Sequence, residues 1–382
     1  MNGRPLRIGV VFGGRSSEHE VSLASARNVM DALAQAGHTV VPIGITPEGR
    51  WLTSKDPMKL LTQVQDAASS GADSDGADSD STASNGAASE DESWALLPHH
   101  EEDAPLPAID VLWPVLHGPY GEDGTIQGML EMANLPYVGC NVLASAVCMD
   151  KAMAKVIFAA AGLPQVPWLV VMRNHWQQSP EMVLSEVEEK LGDYPFFVKP
   201  ANLGSSVGIS KAHNRDELSK ALTLAARYDR KLLVEVAVPN AREIEVSILG
   251  NDEPIASVPG EIKPGNDFYD YAAKYLDDNS DLIIPANLNE ELIERIQIMA
   301  IQAFKAVDAT GLARVDFLMD RVRETVYLNE INTMPGFTRI SMYPKLFEAS
   351  GVSYPALADK LVKLALQRYA DRQMNQTSRS AN

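Results

Sequence analysis

The segment Ala-Arg-Val-Asp-Phe-Leu-Met-Asp (313–320), followed shortly by Leu-Asn-Glu-Ile-Asn (328–332), is the stretch on which the fold turns. Side chains alternate along a strand, so Arg314 and Asp316 share one face while Val315 and Phe317 share the other. Glu330 and Asn332 likewise fall on one face of the second strand. A chain reversal near 321–324 sets Asp316 opposite Glu330. Two carboxylates facing each other across a sheet repel, and a cation between them removes that cost. Asp, Glu and Asn offer only oxygen, which suits Mg²⁺ or Mn²⁺. Taken alone, the pattern also suits a solvated hairpin face with paired charges.

Upstream, Phe-Phe-Val-Lys-Pro (196–200) runs into Ala-Asn-Leu-Gly-Ser-Ser-Val-Gly (201–208). Lys199 ends a buried strand, so its charge requires an anionic partner. The small residues 204–208 let backbone N–H groups close on phosphate oxygens. This is not a Walker A loop, because Ile209 follows Gly208, and by itself the turn reads as a plain hairpin. A strand-end lysine, a Gly/Ser loop and a downstream Asp–Glu–Asn cluster together are far more specific. Glu235 closes the apolar strand 232–236, where a carboxylate can accept ribose hydroxyls and the backbone of Ala237 and Val238 can read adenine. Glu243 and Glu245 otherwise suit the face of an edge strand.

The N-terminal part reads β-α-β: a buried strand over 7–12, a Gly13-Gly14 turn, a helix over 18–36 closed by Gly37, and a strand over 40–45. That order predicts a parallel sheet. Ser17-x-x-Glu20 reads as a capping box, which leaves Glu18 to face a ligand. A third strand, 111–116, delivers His117 to a loop at its carboxyl end, where α/β sheets place ligands; the plainer alternative is a hydrogen-bonded loop histidine. A helix over 149–161, stopped by Gly162 and Pro164, opens a second domain. Lys151 and Lys155 share a face of it, and Lys155 reads as solvated. Strand 196–199 pairs with 209–211, a helix covers 216–228, and strand 243–249 opens a third domain. Residues 260–280 read as a loop carrying Phe268, Tyr269, Tyr271 and Tyr275, long enough to be a functional lid. A helix covers 290–307. The expected units are therefore 1–150, 151–242 and 243–382.

The chain has 382 residues and a formal net charge of −18. Eleven acidic residues and no Lys or Arg lie between Asp66 and Asp103, so the remainder is only mildly acidic. A charge of this sign argues against non-specific nucleic-acid binding. Residues 66–93 are low in complexity and too polar to build a core, and read as a disordered surface insertion within roughly 65–105. Cys140 and Cys148 form no Cys-x-x-Cys pair and read as two buried thiols in a reducing compartment. No signal peptide and no stretch of membrane-spanning length is recognisable, so a cytoplasmic enzyme is the expectation.

Together these features resemble the ATP-grasp superfamily, and within it the D-alanine–D-alanine ligase family. The resemblance is carried by GGRSSEHEVSLASA (13–26), LHGPYGEDGTIQGMLE (116–131), PYVGCNVLASAVCMDKAMAK (136–155), VKPANLGSSVGISK (198–211), YAAKYLD (271–277), ARVDFLMD (313–320) and LNEINTMPGFTRISMYPKL (328–346), in the family's order. It implies an α/β (α+β) ATP-grasp fold of three domains, an N-terminal parallel, Rossmann-like domain followed by two α+β subdomains. It further implies that Asp316, Glu330 and Asn332 hold two Mg²⁺ (or Mn²⁺) ions, that Lys151 and Lys199 contact ATP phosphates, and that Glu235 and Glu243 bind the nucleoside end. Glu18 would hold the ammonium of the first D-alanine with His117 nearby. Arg314 and the Gly336 N–H would stabilise the oxyanion, and Lys274 and Ser341 would take the second substrate's carboxylate. Glu18, Ser205 and Tyr275 would form a hydrogen-bonded triad across the site. A tyrosine at 275 favours an amine as second substrate, and a homodimer is expected.

The implied reaction joins two D-alanines through a D-alanyl phosphate. Sister ligases accepting D-lactate or D-serine are the nearest alternative. Other ATP-grasp enzymes, such as carboxylases or purine-pathway ligases, would not need the His-Glu-Val-Ser (19–22), Lys-Tyr (274–275) and Pro-Gly-Phe-Thr-Arg-Ile-Ser (335–341) stretches. A non-catalytic nucleotide-binding protein would lack a metal ligand or Arg314, and none is missing.

Overall fold

The computed structural model describes residues 4–52, 56–62, 108–204, 207–263 and 281–376. Strand β1 (Arg7–Gly13) is buried from Ile8 onward, as suits a strand covered on both faces. It pairs in parallel with β2 (Thr39–Ile45), and the short β3 (Trp51–Leu52) adds antiparallel at the edge. On its other side β1 pairs in parallel with β4 (Val111–Val115), giving the order β3-β2-β1-β4. Helix α1 (His19–Gln35) crosses between β1 and β2 and ends, as expected, at Gly37, whose φ of +88° suits glycine. Its start differs from the capping-box expectation. Glu18 is the N-cap residue and makes no side-chain cap bond; instead Ser16 Oγ accepts the Glu18 N–H at 3.1 Å.

Helix α2 (Thr125–Met132) follows the loop after β4. The helix expected over 149–161 is α4 (Lys151–Ala160), and a separate helix, α3 (Val142–Met149), precedes it. Asp150 separates them: its backbone is extended, and its carboxylate accepts the N–H groups of Ala152 and Met153, each at 3.1 Å. The next sheet is antiparallel throughout. Its strands are β5 (Trp168–Met172), β6 (Phe196–Pro200), β7 (Ser210–Ala212) and β8 (Lys231–Val236), in the order β5-β8-β6-β7. Helices α5 (Arg173–Gln178), α6 (Pro180–Leu191) and α7 (Arg215–Ala225) accompany it, the last two burying Val183, Val187, Leu218 and Leu222 in its core.

A third, antiparallel sheet holds β9 (Ala241–Gly250), β10 (Ile255–Ala256), β11 (Gly260–Lys263), β12 (Asp281–Ile283), β13 (Gly311–Asp320) and β14 (Val326–Asn332). The order is β12-β11-β9-β13-β14, with β10 beside β9. Two expectations change here. β9 is flanked by β11 and β13, so Glu243 and Glu245 are not on an edge strand. Residues 260–263, expected in a loop, form β11; residues 264–280 of the proposed lid lie outside the described residues.

Helices α8 (Glu290–Ala306), α9 (Met342–Ala349) and α10 (Tyr354–Arg372) complete the chain. Packing crosses the expected boundaries. Ala154 and Phe158 of α4 join the core of the third sheet. Leu357 and Leu361 of α10 pack with Ile8 and Trp113 of the first. Both cysteines are free and buried. Among the described residues no helix is long and apolar enough to cross a membrane.

Candidate active site

One cleft draws on all three sheets. Glu18 and His117 reach it from the first, Lys151 and Gly204 from the segments joined to the second, and Arg314, Glu330, Asn332, Gly336 and Ser341 from the third. Lys199, Glu235, Ala237, Val238, Glu243 and Asp316 are not among its lining residues. Ser205, Lys274 and Tyr275 lie outside the described residues.

Glu18 is enclosed because two glycines leave room for it. A Cβ on Gly118 would lie 2.5 Å from Glu18 Oε2, and one on Gly204 would lie 3.1 Å from the same oxygen. Gly118 also adopts φ +72°, a conformation costly for other residues. The result is a carboxylate that is 5% exposed at the cleft wall.

His117 is fixed from several sides. Its Nδ1 lies 3.1 Å from the Met334 carbonyl oxygen and 3.5 Å from Glu122 Oε1, and its Nε2 lies 3.0 Å from Ser25 Oγ. Ser25 Oγ also accepts the Phe337 N–H at 3.2 Å, so one hydroxyl ties α1 to both the loop after β4 and the loop after β14. Burial pushes the imidazole pKa down, but the hydrogen bond and charge of Glu122 outweigh it and the net direction is up. Burial raises the Glu122 carboxyl to about 6 despite the opposing pull of His117.

On the third sheet, Arg314 and Asp316 share a face as alternation requires, and the guanidinium grips the carboxylate with two bonds of 2.7 Å. Arg314 Nε also lies 3.0 Å from Glu245 Oε2 on β9. Asp316 is in register with Glu330, and Asn332 Nδ2 donates to Asp316 Oδ2 at 2.9 Å. Lys151 Nζ stands 4.0 Å from Glu330 Oε2 and donates to the Leu203 carbonyl at 2.5 Å. Among the described residues no three His, Cys, Asp or Glu side chains form a metal-holding group; Asp316 and Glu330 offer two carboxylates, with the Asn332 amide beside Asp316. That all-oxygen set fits a hard divalent ion.

The anionic partner required by Lys199 is Glu235, whose Oε2 pairs with its Nζ. The other oxygen, Oε1, is 2.5 Å from Lys155 Nζ. Lys155 is therefore buried, not solvated as its helix position implied, because its partner comes from β8, eighty residues away. Burial pushes Glu235 up, but the two ammoniums hold it below the usual range; burial lowers Lys155. Ala237 donates its N–H to the Pro195 carbonyl at 3.0 Å. Glu243 is half-buried on β9, two residues before Glu245. Gly336 is held close to Ser341, since a Cβ there would lie 2.7 Å from Ser341 Oγ. That hydroxyl also accepts the Thr338 N–H at 2.9 Å.

Residues 7–140 match the sequence profile described as "D-ala D-ala ligase N-terminus", and residues 157–363 match "D-ala D-ala ligase C-terminus". The chain belongs to the D-alanine–D-alanine ligase family. The D-alanine–D-alanine ligase of Heliobacterium modesticaldum is 53% identical over 372 residues, 97% of this chain and 98% of that one. The ligase of Acetivibrio thermocellus is 50% identical over 376 residues, again 97% and 98%. The solved D-alanine-D-alanine ligase from Coxiella burnetii superposes with a TM-score of 0.77 at 37% identity, covering 97% of each chain. The D-Ala:D-Ser ligase from Enterococcus faecalis superposes with the same TM-score at 33% identity, covering 95% of this chain and all of that one. The α/β architecture is that of the family's ATP-grasp fold.

Four side chains that line the cleft or contact the assigned residues were not legible as such: Glu122, Glu245, Ser25 and Lys155. Glu122 and Ser25 lie inside stretches that carry the family resemblance, yet only the fold brings them to His117. Glu245 alternates with Glu243, and its interior strand was the missing clue.

Proposed function

We propose that this chain joins two D-alanine molecules to D-alanyl-D-alanine, with ATP converted to ADP and phosphate, through a D-alanyl phosphate. The observation that carries this is the convergence of an enclosed carboxylate, Glu18, and a carboxylate-held guanidinium, Arg314, in one cleft. The first amino acid needs an anion for its ammonium, and the tetrahedral intermediate at its carboxyl carbon needs a cationic donor for its oxyanion; Glu18 and Arg314 supply the two. The relatives at 50% identity and above carry the D-alanine–D-alanine name, whereas the D-serine ligase stands at 33%.

In this scheme Glu18 holds the first ammonium, with His117 beside it. Lys151 and Lys199 take phosphate oxygens as the carboxylate attacks the γ-phosphorus. Asp316, Glu330 and Asn332 would hold two Mg²⁺ or Mn²⁺ ions, which supply charge neutralisation to the phosphates. Arg314 is already fixed by Asp316 and Glu245, so it meets the tetrahedral oxyanion, together with the Gly336 N–H, without reorganising. Ser341 takes the second substrate's carboxylate. Glu235, Glu243 and the backbone at Ala237 and Val238 take the nucleoside end. Ser205, Lys274 and Tyr275 are assigned by the family resemblance alone. The same reading places the enzyme in the cytoplasm as a homodimer with units 1–150, 151–242 and 243–382, serving cell-wall precursor synthesis.

Phosphate release with ATP, Mg²⁺ and D-alanine tests the proposal. Release with D-alanine and none above background with L-alanine is expected; equal rates would overturn it. Product analysis with D-serine and D-lactate as acceptors, over a range of pH, separates the sister activities.

A further inference from the structure

Lys155 is a buried ammonium to which the reaction above gives no part. Its side chain is 1% exposed, against 9% for Lys199. The two lysines take different oxygens of one carboxylate, Oε1 and Oε2 of Glu235, which is itself 5% exposed. Three side chains thus carry one net positive charge in a region nearly closed to water. A buried charge needs a partner. Lys155 is too deep for a ligand to touch, so its partner is Glu235, with a further attraction from Glu330. The unbalanced charge then resides on Lys199, the more exposed of the pair. A phosphate oxygen is the kind of group that completes the balance there.

The helix carrying Lys155 explains its leverage. Ala154 and Phe158 anchor α4 in the core of the third sheet, while Lys155 reaches β8 in the second. One turn earlier on the same face, Lys151 approaches Glu330. The helix therefore fixes, from one side, a carboxylate of the nucleotide grip and a carboxylate of the cation set.

We propose that Lys155 is a positioning residue for the nucleotide: by occupying one oxygen of Glu235 it stops that carboxylate from capturing Lys199 with both, and so keeps the Lys199 ammonium open to phosphate. This rests on the ligase reading for the nucleotide itself and for Lys199 as its phosphate contact.

The test is equilibrium binding of Mg·ADP by calorimetry, without D-alanine, alongside steady-state kinetics, on wild type, Lys155→Met, Glu235→Gln and Lys155→Met/Glu235→Gln. Lys155→Met should weaken ADP binding and raise the KM for ATP by roughly tenfold, the worth of one charge-assisted contact. The KM for D-alanine should stay within about threefold. Glu235 belongs to the nucleoside grip, so Glu235→Gln is the baseline for the double variant: with no charged captor left for Lys199, adding Lys155→Met to it should change ADP affinity by less than about threefold. A merely structural lysine predicts the opposite, a further loss of about tenfold in the double variant. Unchanged ADP affinity in Lys155→Met, or a double variant that binds roughly tenfold more weakly than Glu235→Gln, overturns the proposal. Should methionine at this depth abolish folding, judged by circular dichroism, Lys155→Gln gives the same comparison with the same expected direction. A wild type that binds ADP but ignores D-alanine would sink the ligase reading and leave the Lys155 comparison intact.

Discussion

Asp316 faces Glu330 across the β13–β14 ladder, and immediately beyond this pair the register slips by one residue, so that Phe317 meets Leu328 and Asn329 is the extra residue. The irregularity sits beside the proposed cation set, where bulges re-aim side chains. Glu330→Gln keeps the shape and removes one charge. Its kcat/KM should fall roughly 100-fold, with a higher Mg²⁺ requirement, as read from activity against Mg²⁺ concentration. Near-normal turnover at ordinary Mg²⁺ would count heavily against the assigned site.

Arg314 is held by carboxylates on its own strand and on β9. A group fixed before the reaction stabilises charge that develops during it. Arg314→Ala should therefore lower kcat roughly 10²- to 10³-fold, the usual cost of losing an oxyanion donor. The affinity for ATP should change little, and single-turnover rates beside nucleotide binding make the distinction. If nucleotide binding alone suffered, the guanidinium would be a phosphate contact and the oxyanion assignment would fall.

Alternation along two strands was enough to place Asp316 opposite Glu330, because a ladder fixes which residues face each other. The β1-α1-β2 order and the Gly37 stop were equally legible. What failed depended on distant partners. Lys155 looked like any charged helix residue until β8 brought Glu235 to it. The strand at 260–263 is four residues long and exists because β9 and β12 flank it.

Gly118 is required by the space Glu18 occupies. Gly118→Ala would place a Cβ 2.5 Å from Glu18 Oε2 and 2.7 Å from Ser16 Oγ, at φ +72°. The carboxylate must move, so the KM for D-alanine should rise roughly tenfold while the KM for ATP holds. Stability should drop by about 1 kcal/mol or more. Gly128→Ala is the control: nothing lies within 4 Å of its Cβ, and it sits inside α2. That change should stabilise by roughly 0.5–1 kcal/mol. Unaltered D-alanine kinetics in Gly118→Ala would mean that Glu18 does not hold substrate.

Glu122 and His117 give the fold a pH dependence of defined sign. Burial lifts the Glu122 carboxyl from 4.5 to about 6, so the native state holds this proton more tightly than the unfolded chain. Below about 4.5 both states are protonated; above about 6 both are ionised and the native state bears the cost of a carboxylate that is only 16% exposed. The stability contributed by Glu122 therefore falls as pH rises from about 4.5 to about 6, by about 2 kcal/mol. His117, raised above its usual 6.5 by Glu122 against the effect of burial, acts in the same direction: its contribution is present below 6.5 and is lost as pH rises through its native value. In Glu122→Gln the carboxyl no longer titrates, and His117 loses the hydrogen bond and charge that raise it most, which adds to the same sign. The unfolding free energy of wild type relative to this variant, from urea melts between pH 4.5 and 6, should decline steadily with pH. A difference that stayed flat, or grew, would show that the carboxyl is not desolvated in the native state and that His117 takes its charge from elsewhere.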